Sequence, residues 1–362
     1  MPILGLSVSS LLMASGAVGG GVALAAGLVL AWPSDQKPPD VVRGGVTTFA
    51  GAGPAGVYPG ALSDGPALSA RFSDPSGMAA DSEGNVYVAD FGNNVIRKIS
   101  SKGDVSVLAG SGVAGYRDGP AGEAQFSGPI SVATDAKGNV YVADAVNHRI
   151  RVITAAGVVS TLAGSGPSGM GQGEFEDGPA SQARFHLPKG IAVDAAGRVF
   201  VADTDNKRIR VVDQQGQVET FAGTGLTGSD DGPRLKASFG AIGQIAFDGS
   251  GNLWIADQSS QRIRRINTAG VVETIVQNGI GYAFGVVPLA GGNFVVLDTS
   301  GQVVRLFAPD GRPISVAGSG RQGYLDGAAA TAEFSNPSGG VAIGGYFLVA
   351  DSGNHRLRKL AW

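Results

Sequence analysis

Residues 138–153, GNVYVADAVNHRIRVI, recur along the chain in a form that narrows its possible folds more than any other feature. The stretch reads as a Gly-Asn turn, an apolar-rich strand ending in Asp144, a polar turn around Asn147 and a second strand. That second strand alternates Arg149, Arg151 and Ile153 with residues of other character, and alternation with period two is the signature of a strand. Near-copies begin at Asn85, Arg198, Asn252, Asn293 and Tyr346, so the unit occurs six times. Self-similarity at a fixed period decides the architecture before any single motif does.

Each full unit opens on Phe, often as F-x-x-P, and continues through an inner strand such as PKGIAVD (188–194). The strand-turn-strand follows, and then a fourth strand ends in Ala-Gly, as in VSVLAG (105–110) and QVETFAG (217–223). Unit starts at Phe72, Phe126, Phe185, Phe239, Ile280 and Phe334 are 54, 59, 54, 41 and 54 residues apart. Four strands in a repeat of about 40 residues is the spacing of propeller blades, with the excess length between blades. The last copy stops at Trp362 after its third strand, and the missing fourth strand, VTTFAG (46–51), stands ahead of the first Phe. The ends are therefore expected to share a sheet and close a ring, which removes exposed sheet edges. The predicted fold is all-β: a six-bladed propeller of four-stranded blades over residues 46–362.

Five blade junctions carry an insert with its own motif, beginning at Asp64, Asp118, Asp177, Asp231 and Asp326: DGPALSARF, DGPAGEAQF, DGPASQARF, DGPRLKASF and DGAAATAEF. Asp-Gly makes a turn, and Pro suits the first position of a short helix. The junction at 278–284, NGIGYAF, lacks the insert and is expected to leave a notch in the rim.

Ahead of the repeats, residues 1–34 contain no charged side chain, and positions 3–32 form an apolar run softened by Gly and Ala. About 20 apolar residues span a bilayer. Residues 1–33 are accordingly expected to form an apolar helix, a signal-anchor or signal peptide, followed by a Pro/Gly linker over 34–45. The propeller is then membrane-anchored or secreted, on the extracytoplasmic side. The absence of cysteine excludes disulfides, thiolate zinc sites and cysteine nucleophiles.

The residues P-x-G-I-A-V-D followed by G-x-V-Y-V-A-D-x-x-N-x-R-I-R, matched closely at 188–210 and 129–151, resemble the NHL repeat family. The resemblance covers residues 44–362 and implies a propeller but no single activity. Members include protein- and RNA-binding modules, extracytoplasmic sensor domains and a peptide-amidating lyase; related lactonase-type propellers are calcium-dependent hydrolases. Fold alone does not choose among these.

A carboxylate ends each second strand (Asp90, Asp144, Asp203, Asp257, Asp298, Asp351), and an arginine follows seven residues later (Arg97, Arg151, Arg210, Arg264, Arg305, Arg358). A pair present in every blade meets a need of every blade, so this ring is read as scaffold. His148 and His355 share one repeat slot and are read as exposed turn residues, which leaves too few histidines for a lyase-type zinc site. The inner strands align Ser76, Ile130, Lys189, Gly243, Phe284 and Ser338 in one layer, and Gly77, Ser131, Gly190, Gln244, Gly285 and Gly339 in the next. Neither layer offers the carboxylates that a calcium site requires. No cofactor or metal is expected. Nucleic acid is not expected as a partner, because the net charge is −3 and about half of the 27 Lys and Arg occupy the repeated third-strand slots.

Function should lie where the repeats differ. The rim candidates are Tyr58, Tyr116, Arg117, Met170, Glu174, Phe175, Glu176, Arg234, Lys236, Arg321 and Tyr324, since aromatic and Arg anchors on rigid loops make binding surfaces. The expected role is a non-catalytic scaffold or sensor that binds a protein, peptide or glycan through its loop-bearing face. The alternative is a lactonase-like hydrolase or lyase at a channel mouth formed by His186, Lys189, Gln244 and Phe284.

Overall fold

A computed structural model describes residues 44–56 and 60–361. The expected apolar helix at 1–33 lies outside the described residues, as do most of the linker and Tyr58. Among the described residues no helix is long and apolar enough to cross a membrane.

The described chain folds into six antiparallel sheets arranged as blades. Blade 1 runs from an inner strand Pro75–Ala80 through Val86–Asp90 and Val95–Ile99 to an outer strand Asp104–Ala109. Blades 2 to 5 repeat this order from inner strands Pro129–Thr134, Pro188–Val193, Ile242–Phe247 and Ala283–Pro288. Blade 6 takes its inner three strands, Pro337–Ile343, Tyr346–Asp351 and Arg356–Ala361, from the C-terminal part of the chain. Its outer strand is Gly45–Ala50, with Val46 opposite Leu360 and Thr48 opposite Arg358. The ring closes as the phase of the repeats predicts. The core lies between blades, where the face of one sheet packs on the next: Phe200, Ile209 and Ala222 of blade 3 share a buried cluster with Ile245, Leu253 and Val272 of blade 4.

Two expectations about the inserts change. Five blades are five-stranded, not four-stranded, because the dipeptides Gly65–Pro66, Gly119–Pro120, Gly178–Pro179, Gly232–Pro233 and Gly327–Ala328 pair with the outer strands of their blades. The Pro that follows four of the five Asp-Gly turns therefore sits at a sheet edge, where its missing N–H costs no ladder bond, and does not begin a helix. One turn follows, in which the Pro66 carbonyl accepts the N–H groups of Ser69 and Ala70. Blade 5, whose junction has no insert, keeps four strands and ends on Pro313–Ala317.

The inserts brace neighbouring blades. The Ala67 N–H donates to Gly103 O in the outer hairpin of blade 1, while Ala67 O accepts the Gly51 N–H at the end of the outer strand of blade 6. Equivalent bonds made by Ala121 and Ala180 tie blade 1 to blade 2 and blade 2 to blade 3.

The repeated arginines hold each blade together. Arg151 has no exposed surface. Its Nη1 donates to Asp144 Oδ2 (2.8 Å) and Gln125 O (3.0 Å), and its Nη2 to Asp118 Oδ1 (2.5 Å) and Arg117 O (2.9 Å). The guanidinium also lies 5.2 Å above the ring of Phe126, the residue that opens the unit. Asp144, equally buried, accepts the Ser127 N–H and the Asn147 side-chain amide. Arg97, Arg210, Arg264 and Arg358 repeat this pattern with the Asp of their own Asp-Gly turns. A buried charge persists only when paired and hydrogen-bonded, which the insert makes possible; of these five guanidiniums, Arg97 alone leaves its Nε without a partner.

In blade 5 the arginine has lost that second carboxylate. Arg305 donates through Nε to Asp298 Oδ2 (2.9 Å), and its side chain is 19% exposed. Removing one partner of a buried pair costs about 3–5 kcal/mol, so Arg151→Met should lose about that much in urea unfolding. Arg305→Met, which removes one ion pair and not two from a partly exposed guanidinium, should lose less than Arg151→Met. Equal losses at the two positions would show that the insert carboxylate does not set the stability of the hub.

Candidate binding face and channel

The axis of the ring is closed by its own side chains. Gly77, Gly190, Gly285 and Gly339 let neighbouring inner strands touch. A Cβ on Gly339 would come within 2.2 Å of Ser76 O, and one on Gly190 within 2.5 Å of Gly243 O. Phe284 has no exposed surface and belongs to the same buried cluster as Ile130 and Leu187, so it lies in the core and not at the channel mouth. Gln244 is 7% exposed and reaches across the axis. Its amide nitrogen is 2.9 Å from where a Cβ on Gly77 of blade 1 would stand, and its amide oxygen 3.1 Å from the same point on Gly285 of blade 5.

Near the mouth, blade 3 gathers a titratable group that no other blade repeats. The His186 ring is partly exposed and its Nε2 lies 3.6 Å from Asp205 Oδ2. Lys189, wholly buried, has its ammonium pulled down to about 8 by burial, against the opposing pull of Asp205. Burial raises Asp205, and the charges of Lys189, His186 and Lys207 hold that rise back. The His148 and His186 rings meet edge to face at 5.6 Å. Among the described residues no three His, Asp or Glu side chains converge to hold a metal ion. The ring of second-strand carboxylates is sealed: burial drives Asp90, Asp144 and Asp351 up to about 6, against the lowering pull of their arginines.

His148 and His355 are buried, at 1% and 4% exposure, which corrects their reading as exposed turn residues. Their slot has left-handed backbone in every blade, with φ of 53–57° at Asn94, His148, Lys207, Gln261, Gln302 and His355. In four blades it carries an acceptor that takes a backbone N–H of the next blade. The bonds run from Gly128 to Asn94 Oδ1 (3.0 Å), Leu187 to His148 Nδ1 (3.0 Å), Asn336 to Gln302 Oε1 (2.7 Å) and Asp74 to His355 Nδ1 (3.0 Å). The last of these crosses the junction where the ring closes. Sequence reasoning missed the role, although the run of acceptor-bearing side chains in one slot was its signal.

On the rim, the aromatic candidates turn out to be partly structural. Tyr116, Phe175 and Tyr324 are 40–44% exposed, but each lies against two arginines of the hub row; Arg149 and Arg151 stand 4.1 and 5.0 Å from the Tyr116 ring. Glu174 and Glu176 both pair with Arg184. Arg234 folds over the Phe221 ring and donates to the Phe221 carbonyl, and Met170 packs against the core. Arg117 pairs with Glu123 in solvent (3.1 Å), while Lys236 and Arg321 are exposed. The structure adds residues that had not been singled out. Val113 and Leu226 are 60% and 73% exposed at the loop tips that correspond to Arg321.

The fold is thus an all-β six-bladed propeller with braced inserts on one face. Comparison with known proteins finds similarity to NHL-repeat proteins: the NHL repeat model matches residues 72–99 and 126–153, and the teneurin NHL domain model matches 170–232. NHL repeat-containing protein 2 of Bos taurus is 35% identical over 159 residues, which cover 40% of this chain and 21% of that protein. The matches to such relatives span between 6% and 39% of their length. An auxiliary nutrient binding protein from Bacteroides ovatus has the same fold (TM-score 0.64, 18% identity, 88% of this chain and 76% of that one). So does a streptogramin B lyase (TM-score 0.52, 12% identity, 83% and 97%).

The His148 bond has a pH signature. Burial lowers the pKa of this imidazole below its ordinary 6.5, so the folded protein disfavours the cation. Protonation would also turn the Nδ1 acceptor into a donor facing the Leu187 N–H. The contribution of His148 is therefore complete above the unfolded value and is lost as pH falls below it. The raised carboxyls of Asp90, Asp144 and Asp351 act with the opposite sign, so a difference measurement is needed. His148→Gln, which places in blade 2 the residue that makes this bond in blade 5, should melt less steeply with falling pH between about 7 and 5 than the wild type. Parallel melting curves for the two proteins would rule out the linkage.

Proposed function

We propose that the protein is a non-catalytic binding propeller that engages a protein, peptide or glycan through its insert-bearing face. One observation carries the reading: Val113, Leu226 and Arg321 project from equivalent loop tips with their side chains exposed, above inserts that are hydrogen-bonded to two blades each. Exposed apolar and arginine side chains on a rigid support are suited to capture, because little entropy is lost on ordering them. The apolar stretch at 3–32 supports a membrane-anchored or exported location, with this face outside the cytoplasm.

Replacing the three tips together (Val113→Ser, Leu226→Ser, Arg321→Ser) should abolish capture of ligands selected by the wild type from peptide-display and glycan arrays, with the melting temperature unchanged. Capture that survives the triple substitution would place the binding surface elsewhere.

A second reading is favoured by the unrepeated His186–Asp205–Lys189 group. It would support a hydrolase or lyase at the mouth, with His186 as proton acceptor. Turnover of lactones or aryl esters that disappears in His186→Ala would reverse the ranking.

A further inference from the structure

Among the described residues, five blades carry the same edge cap and the sixth does not. In blades 1, 2, 3, 4 and 6 the outer strand is covered by a Gly-Pro or Gly-Ala dipeptide strand, and the carboxylate of the Asp before it takes the buried arginine of the third strand. The same carboxylate also accepts an outer-strand N–H, from Val107, Thr161, Thr274 and Thr48 in four of them. In blade 5, among the described residues, the outer strand Pro313–Ala317 ends the sheet with no fifth strand. Val316 stands opposite Arg305, as Val107 stands opposite Arg97, but a bulge after Leu306 puts Pro313, which has no N–H, at the place of Val105, the residue that pairs with Gly65 of the cap in blade 1. Arg305 keeps the hub position but, among the described residues, makes its only ion pair with Asp298.

We infer that the uncapped edge of blade 5 is a docking site for an extended Asp-Gly-Pro-bearing segment of a partner polypeptide, which adds a fifth strand and places its Asp carboxylate on Arg305. Charge complementarity argues for that occupant. The free positions are guanidinium N–H groups at Arg305 and the exposed Arg312 beside the strand, so an acidic residue fits and a basic one is repelled. Strand addition at an open edge supplies backbone affinity, and the buried charge pair supplies selectivity. Arg305, retained where its insert partner is missing, is the position that chooses the ligand. The asparagine that reads the insert carbonyl in blades 1, 2, 3 and 6 is Gly301 here, so the incoming segment meets one fewer side chain than the built-in caps do. The site lies on the outer edge of one blade and is independent of the loop tips proposed above to capture ligand.

The probe is a synthetic peptide with the sequence of residues 176–184, EDGPASQAR, terminally blocked and titrated into the full-length protein by fluorescence polarisation. Saturable binding is expected. It should weaken at least about tenfold when the peptide aspartate is replaced by asparagine, or when the protein carries Arg305→Met, as for the loss of one charged hydrogen-bonded pair. A second variant serves if Arg305→Met does not fold. Replacing residues 278–282 by the insert of blade 4 should raise the melting temperature and block the peptide. Absence of binding, or binding indifferent to the aspartate and to both variants, would overturn the inference. Hydrogen exchange of 313–317 in the protein alone tests other occupants. Protection independent of concentration would assign the edge to this chain's own residues 1–43, and protection that grows with concentration would assign it to a second copy; either result also overturns the partner reading. The triple loop-tip variant should bind the peptide normally, which separates failure here from failure of the capture face.

Discussion

A guanidinium sealed inside a β-sheet is tolerable only if oxygen atoms surround its N–H groups, and this requirement shapes five of the six blades. Arg97, Arg151, Arg210, Arg264 and Arg358 each draw in the carboxylate at the end of the second strand, the carboxylate of the Asp-Gly turn and two backbone carbonyls. The Phe that opens each of these units lies beneath the charge. One side chain thereby fixes the inner loop, the two middle strands and the insert. The second-strand carboxylates are sealed from solvent by this arrangement, whereas those of the Asp-Gly turns keep one side exposed.

The inserts follow from the hub and extend it. A dipeptide strand protects the sheet edge, its Asp completes the arginine, and the next turn hydrogen-bonds back to the preceding blade. Rigidity between blades comes from these braces and from the acceptor slot that reaches across each of four junctions. The junction before blade 5 has no brace, and blade 5 alone among the described sheets keeps an open outer strand. Departure from the repeat, not the repeat itself, marks where another molecule can be accommodated.

The closed axis bears on function. Phe284, Ile130 and Gln244 fill space that in an open ring would admit a ligand, and the glycines of the second layer bring the inner strands into contact. The unrepeated polar group around His186 sits above this plug, while the exposed side chains stand on the inserts. Both a nutrient binding protein and a lyase share the fold at under 20% identity, so the fold carries no preference between binding and chemistry.

Blade number, strand order, ring closure by residues 46–51 and the structural role of the Asp–Arg pairs were legible in the sequence, because each rests on a pattern that recurs in register. The missing insert at 278–284 was legible for the same reason. The Asp-Gly-Pro motif misled: local propensity at Pro favours a helix start, but the adjacent outer strand supplied ladder partners that propensity does not count. His148 and His355 looked like exposed turn residues because the atoms that bury them belong to the next blade. The second partner of each arginine, the plug made by Phe284 and Gln244, and the half-satisfied state of Arg305 are likewise relations between segments far apart in the chain. Sequence alone determined the repeat and its periodicity, since these follow from local alternation and turn chemistry. Tertiary structure decided which polar groups are satisfied and which remain open, because hydrogen bonding and burial depend on what the neighbouring blade brings to each atom.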